Sequence, residues 1–199
     1  MRRTQQDRSN STRADLVAAA RALFAARGYQ DVPTDEIVRT AGVTRGALYH
    51  HYGDKQGLFR AVVEELEREL TAEVSAAFDA SDPLGGMTAA LNTFLDICLR
   101  DDVRRITLTD APAVLGWAAW REIESENGLG LLVDTLTTAI ETGLIKPQPV
   151  RALAQLVQAA VMEAAHMIGE AEDPVAARAD VQEVLGGWLA SLIQQPKPS

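Results

Sequence analysis

Only Gly42, Val43 and Thr44 separate two short helical runs, Pro33 to Ala41 and Arg45 to His51. So brief a connection forces two short helices to cross steeply, which is the helix-turn-helix arrangement. The flanks agree. Upstream, Thr12 followed by Asp15 fits a capping box, and Leu16, Ala20, Leu23 and Phe24 recur at helical spacing until Gly28, which is free to take the left-handed cap position. This spacing predicts a first helix over about 12 to 27. Downstream, Gly53 and Asp54 end the third helix and cap a fourth, which runs through the charged face Glu64, Glu65, Arg68, Glu69 and Glu73.

The rest of the chain is also helical in pattern. Asp82-Pro83 and Gly85-Gly86 mark a break, after which Leu91, Phe94, Leu95, Cys98 and Leu99 form an apolar stripe. Shorter helical segments are expected between Asp101 and Glu126. Another helix is expected from Leu129 to Thr142, stopped by Gly143 and Pro147, and two long ones over about 150 to 171 and 175 to 193, parted at Asp173-Pro174. Gln194 to Ser199 reads as a frayed tail. There is no internal repeat and no strand-like alternation of useful length, so the expected fold is all-α, with about nine helices.

With 47% hydrophobic and 24% charged residues, the chain is neither a disordered tail nor a fibre. Its one cysteine, Cys98, and three histidines leave no set for a disulfide, a zinc site or an iron–sulfur cluster. Adjacent His50 and His51 point roughly 100° apart on a helix, which suits no shared metal. No metal and no cofactor are expected. Met1 to Arg13 is basic and polar with no apolar segment behind it, and no run of some 18 apolar residues occurs, which reads as a soluble, cytoplasmic protein with no membrane partner.

The net charge of -9 hides an asymmetry: residues 1–60 carry 10 Arg and Lys against 6 Asp and Glu, whereas residues 61–199 carry 9 against 22. A basic segment joined to an acidic one suggests a division of labour, with phosphate contact open to the first. Within the run from Arg45, Ala47, Leu48 and His51 share the side of Val43 and face the preceding helices. Arg45, Gly46, Tyr49 and His50 are left to project outward. Arg45 suits a guanine edge, Tyr49 and His50 suit phosphate oxygens, and Gly46 permits close approach to a groove floor. Lys55 lies in the first turn of the fourth helix, where the backbone already favours an anion.

The stretch from Thr34 to Lys55, with Ala22-Leu-Phe-Ala-Ala-Arg-Gly-Tyr29 before it and Gly57-Leu-Phe59 after it, resembles the DNA-binding signature of the TetR family of bacterial transcriptional regulators. The resemblance covers about residues 12 to 60. It implies that Thr34, Tyr49, His50 and Lys55 contact backbone phosphates, and that Thr44 and Arg45 contact phosphate or base. Tyr52 stands where the family usually has phenylalanine and Gln56 where an acidic residue is common, which raises the local positive potential slightly. The arm bearing Arg2, Arg3, Arg8 and Arg13 is either a solubilising tail or a minor-groove contact. The expected organisation is a flexible basic arm (1–11), a helix-turn-helix domain (12–53), a connecting helix (54–78), a ligand-binding and dimerisation domain (79–193) and the tail (194–199).

In the acidic half, Leu153, Leu156, Val157, Ala160, Ala164, Met167 and Ile168 follow one helical stripe, and Val181, Val184, Leu185, Trp188, Leu189 and Leu192 another. Glu183, Gly186, Gly187 and Ala190 form a face of mostly small residues. Two glycines inside a helix cost ~1 kcal/mol each relative to alanine, which asks for a packing reason. The resemblance supplies one, because the family's last two helices usually meet their copies in a symmetric dimer; an intramolecular contact is the alternative. Trp117 and Trp120 are neighbours on a helical face and, with Phe94, Cys98, Met162 and His166, either wall a cavity for a small apolar or amphipathic ligand or pack the core. Gly128-Leu-Gly130 lacks the context of a nucleotide loop.

The combined expectation is a homodimeric regulator of a palindromic double-stranded operator, a repressor relieved by a small ligand. A ligand-free regulator and an enzyme carrying a helix-turn-helix are the alternatives, and for the second no nucleophile elbow, HExxH or phosphate loop is present.

Overall fold

The computed structural model describes residues 5–79 and 81–194, excepting the side chains of Gln5, Pro83 and Asn127. The helices are α1 (Gln5–Arg27), α2 (Thr34–Thr40), α3 (Arg45–Tyr52), α4 (Lys55–Ala77), α5 (Pro83–Ile97), α6 (Asp101–Val103), α7 (Ala111–Leu115), α8 (Trp117–Glu141), α9 (Val150–Glu170) and α10 (Pro174–Ser191), with a wide π-helical segment, Arg104–Asp110, between α6 and α7. The only β pairing among the described residues is an isolated bridge between Ile145 and Ile193.

The chain divides into two compact units. One holds the residues up to Leu66 together with Asp101–Trp120, and the other holds Glu67–Arg100 and Arg121 onward. This differs from the expected division, which placed 101–120 in the C-terminal domain and kept 54–78 apart from it. Three bonds explain the first difference. Arg21 pairs with Asp102 at 2.8 Å, the Tyr29 N–H donates to Asp110 Oδ2 at 2.7 Å, and Gln56 Nε2 donates to the Val114 carbonyl at 2.6 Å.

In the first unit α1 begins at Gln5, not near residue 12. Thr12 and Asp15 therefore form no capping box, and Ser11 Oγ instead donates to Asp15 Oδ2 at 3.4 Å within the helix. Arg8 and Arg13 ride on this helix; Arg2, Arg3 and the tail from residue 195 lie outside the described residues. Leu16, Ala20 and Phe24 are buried, with Ile37, Leu48, Leu58, Phe59 and Val62 packed into the same core. Phe24, Tyr29 and Phe59 make a ring cluster with centroids 4.9–5.6 Å apart, a geometry that adds to plain area burial.

The second unit is a helical assembly of α5, α9, α10 and the later parts of α4 and α8. Asp82 caps α5 by accepting from Gly85 N at 3.0 Å, and Asp173 caps α10 by accepting from Val175 N and Ala176 N at 3.1 and 3.0 Å. Leu136, Ala139, Ile145, Leu153, Ala154 and Val157 form its buried centre. Where the sequence suggested a break before Leu129, α8 runs unbroken through Gly128 and Gly130.

Candidate functional site

Gly42 makes the turn between α2 and α3 with φ +67°, a left-handed conformation that favours glycine. Thr44 then caps α3, its Oγ1 accepting from Ala47 N at 3.2 Å. With that start fixed, the 3.6-residue period decides the rest. Leu48 is fully buried and Ala47 and His51 are half-buried, whereas Arg45, Gly46, Tyr49 and His50 face solvent, as the spacing required.

The outward donors are held by the protein itself. Arg45 Nη1 donates to Asp35 Oδ1 at 3.0 Å, Nη2 donates to Tyr49 Oη at 3.2 Å, and the guanidinium lies 5.6 Å from the Tyr49 ring centroid. Thr34 opens α2 beside Asp35, half-buried. Lys55 opens α4, but its ammonium is directed inward: Nζ donates to the Tyr29 carbonyl at 2.6 Å and sits 4.1 Å from the ring centroid. Burial lowers its pKa below the ordinary value, against the pull of Asp110 and Asp31. An ammonium has three donors, so two remain for another acceptor.

Tyr52 reaches back to α1. Its hydroxyl donates to the Arg13 carbonyl at 3.0 Å, which gives the departure from phenylalanine a structural use. Gly57 is constrained in a way the spacing alone does not announce: a Cβ there would collide with the Tyr52 carbonyl oxygen, so the approach of α4 to the end of α3 admits only glycine.

The second unit contains a cavity of about 350 Å³, within the range of small-molecule sites. Its wall is mostly apolar, with Leu70, Leu91, Leu132, Val161 and Leu189 among the contributors, and it also includes Glu67, Asn92, Glu124 and Gln158. Of the six residues expected to line a ligand site, Phe94 and Met162 do so; Cys98, Trp117, Trp120 and His166 do not. Trp117 and Trp120 belong to the first unit, at the beginning of α8, with ring centroids 4.7 Å apart, Trp120 buried at 1% exposure and Trp117 at 55%. Because α8 is one long helix, the positions that reach the cavity lie later along it: Glu124, Gly128, Leu131, Leu132, Thr135 and Leu136. Cys98 is buried at the end of α5, and burial with Glu67 and Glu124 nearby raises its thiol pKa, leaving it an inert thiol. His166 Nε2 lies 3.3 Å from Glu170 on α9.

On α10, Glu183 and Gly187 face solvent, but Gly186 and Ala190 line the cavity. Val184 (74% exposed) and Trp188 are also outward, not part of a buried stripe, as are Leu156 and Met167 on α9. A Cβ on Gly187 would meet nothing within 4 Å, so no contact inside the protomer demands glycine there.

Residues 16–62 match the model of bacterial regulatory proteins of the tetR family, and residues 84–192 match the tetracyclin repressor-like C-terminal domain. The chain belongs to the TetR family. Its fold matches the crystal structure of a TetR-family transcriptional regulator from Pectobacterium atrosepticum with a TM-score of 0.86, at 35% identity, covering 98% of this chain and 100% of that one. It is 28% identical over 142 residues to the Transposon Tn10 TetC protein of Escherichia coli, spanning 71% of this chain and 72% of TetC. It is 36% identical over 109 residues to the HTH-type transcriptional regulator TtgR of Pseudomonas putida, where the match spans 53% of this chain and 51% of TtgR. By family, the regulator is a DNA-binding transcriptional repressor. No helix among the described residues is long and apolar enough to cross a membrane.

Proposed function

We propose that this regulator works in the cytoplasm as a non-enzymatic homodimer, holds a palindromic operator through α3, and releases it when a small ligand fills the cavity of the second unit. The observation that carries the DNA reading is the outward row Arg45, Gly46, Tyr49 and His50 on a helix whose opposite side is locked by buried Leu48. Thr34, Thr44 and Lys55 then serve as flanking contacts, Lys55 through the donors that Tyr29 leaves unused. The exposed apolar side chains Leu156, Met167, Val184 and Trp188 support a second copy of this chain as their cover, with Glu183 and Gly187 within the same face.

A dimer must set its two recognition helices ~34–36 Å apart to enter successive major grooves, so a ligand that favours another spacing weakens binding. Such coupling is typically ~1–3 kcal/mol. Footprinting on the DNA upstream of the regulator's own gene tests this reading. Two protected half-sites about one helical turn apart, lost with Arg45→Ala, are expected. Failure to protect any site, or protection indifferent to Arg45, overturns it.

A further inference from the structure

The chemistry of the cavity narrows what can occupy it. Glu67 on α4 and Glu124 on α8 line it with 7% and 5% exposure, two carboxyls close enough to perturb each other. No described residue donates to Glu124 Oε2 or to Asn92 Oδ1, though both atoms are buried. Gln158, buried on α9, spends its Nε2 on the Glu124 backbone carbonyl at 3.3 Å and not on the carboxyl. Nor does any Lys, Arg or His appear among the described residues of the wall. A buried acceptor without a donor carries a desolvation cost that an occupant with a donor removes, and a buried carboxylate gains most from a positive one. An anion would meet the opposite: two buried carboxyls and no cation among the described residues of the wall.

We propose that the cavity is a site for a small organic cation, a protonated amine on an apolar body, with the ammonium against the Glu67–Glu124 pair and the body among Leu70, Leu91, Leu132 and Val161. This deepens the reading that the cavity is the regulator's effector site, and rests on it only for the consequence on DNA. Proton affinities agree with the geometry. Burial pushes Glu67 up to about 7, and burial together with Glu67 pushes Glu124 up to about 8, with Arg121 offsetting part of the rise. The charged and titratable groups acting here are Glu67, Glu124, Arg121 and Cys98, while α9 and α10 contribute the uncharged Gln158 and Gln182.

Titration calorimetry of the full-length protein with 4-phenylbutylamine, 4-phenylbutan-1-ol and 4-phenylbutanoate tests the proposal, since the three probes differ only in the head group. At pH 7.5 the amine should bind at least roughly tenfold more tightly than the alcohol, and the acid least. In Glu67→Gln/Glu124→Gln the advantage of the amine should vanish while the alcohol stays within about threefold. Should that double variant not fold, the wild type supplies the same test, because the advantage should grow between pH 6 and pH 8.5 as the carboxyls ionise. Equal binding of amine and alcohol, preference for the acid, no binding by any probe, or an advantage indifferent to both the substitutions and pH overturns the proposal. Amine binding without operator release leaves the cation site standing and overturns the relief mechanism.

Discussion

Around α3 in the first unit, the strongest donors already have acceptors: Arg45 holds Asp35 and Tyr49, and Lys55 holds the Tyr29 carbonyl. In the cavity of the second unit the imbalance is reversed, with oxygens of Glu124 and Asn92 buried beyond the reach of any described donor. The difference follows from solvent. An exposed guanidinium forms and exchanges partners at little cost, so its present bond to Asp35 is a resting arrangement that a phosphate or base can replace. A buried acceptor has no water to fall back on, so it fixes the chemistry of whatever arrives. One unit is adaptable in its contacts and the other selective.

The largest effect is expected where both units are needed at once. If the outward face of α9 and α10 holds the dimer, Val184→Arg places a charge against its own copy and leaves a folded monomer with one recognition helix. Operator affinity should fall by at least about a hundredfold while the melting temperature of the protomer changes little. Sedimentation decides: a variant that still runs as a dimer would place the interface elsewhere. Gly187→Arg should act in the same way, because its site is open in the protomer.

Next come the two donors of the first unit, which should fail differently. Arg45→Ala should cost roughly tenfold or more per half-site on cognate DNA and much less on random DNA if the guanidinium reads a base. Lys55→Ala should weaken both kinds alike and reduce the salt slope by roughly 0.9 per lost phosphate contact, or about 2 for the dimer. An unchanged slope would confine Lys55 to its bond with Tyr29, and the variant would then show only lost stability.

A smaller effect separates the units by pH. Glu67 and Glu124 bind protons more tightly folded than unfolded, so the folded state holds more protons between the ordinary carboxylate range and their raised pKa values of about 7 and 8. Stability from this source is complete at pH 4 and is lost progressively as pH rises from the ordinary carboxylate range through 7 and 8. Melting curves from pH 5.5 to 8.5 should therefore decline, and Glu67→Gln/Glu124→Gln should flatten the decline. A double variant with the same slope as the parent would show that other groups cause it.

What the sequence made legible follows the same division. The arrangement of α2 and α3 could be read from Gly42 to Thr44 because the turn is short and the buried and exposed positions separate cleanly. The early start of α1 was hidden, since Gln5 to Ser11 carries no apolar period to announce it. On α9 and α10 apolar residues occupy covered and uncovered faces alike, so periodicity could not say that Val184 and Trp188 point away from the protomer. The two cavity carboxyls were legible in principle. Glu67 stands in phase with Val63, Leu70 and Val74, and Glu124 with Trp120, Gly128 and Leu131, which are apolar positions where a charge is out of place. Trp117 and Trp120 stand out in the sequence by bulk and spacing, and neither property distinguishes a residue that packs, as Trp120 does, or meets solvent, as Trp117 does, from one that walls a cavity.

The smallest effect probes whether the resting contacts on α3 are mere parking. Asp35 and Arg45 are both exposed, and an ion pair of that kind contributes little to stability, so Asp35→Asn should leave the melting temperature nearly unchanged. Its consequence should appear on DNA. Removing the carboxylate frees the guanidinium and takes a negative charge away from the phosphates, and both changes favour binding, by an expected severalfold at low salt that shrinks as salt rises. The two contributions separate in an Arg45→Ala background. If Asp35 acts by competing for Arg45, Asp35→Asn gains little there; if it acts by repelling phosphate, the gain persists. A loss of cognate affinity in Asp35→Asn would reverse the interpretation, for it would mean that Asp35 aims Arg45 at its base, and that the first unit too depends on a fixed acceptor.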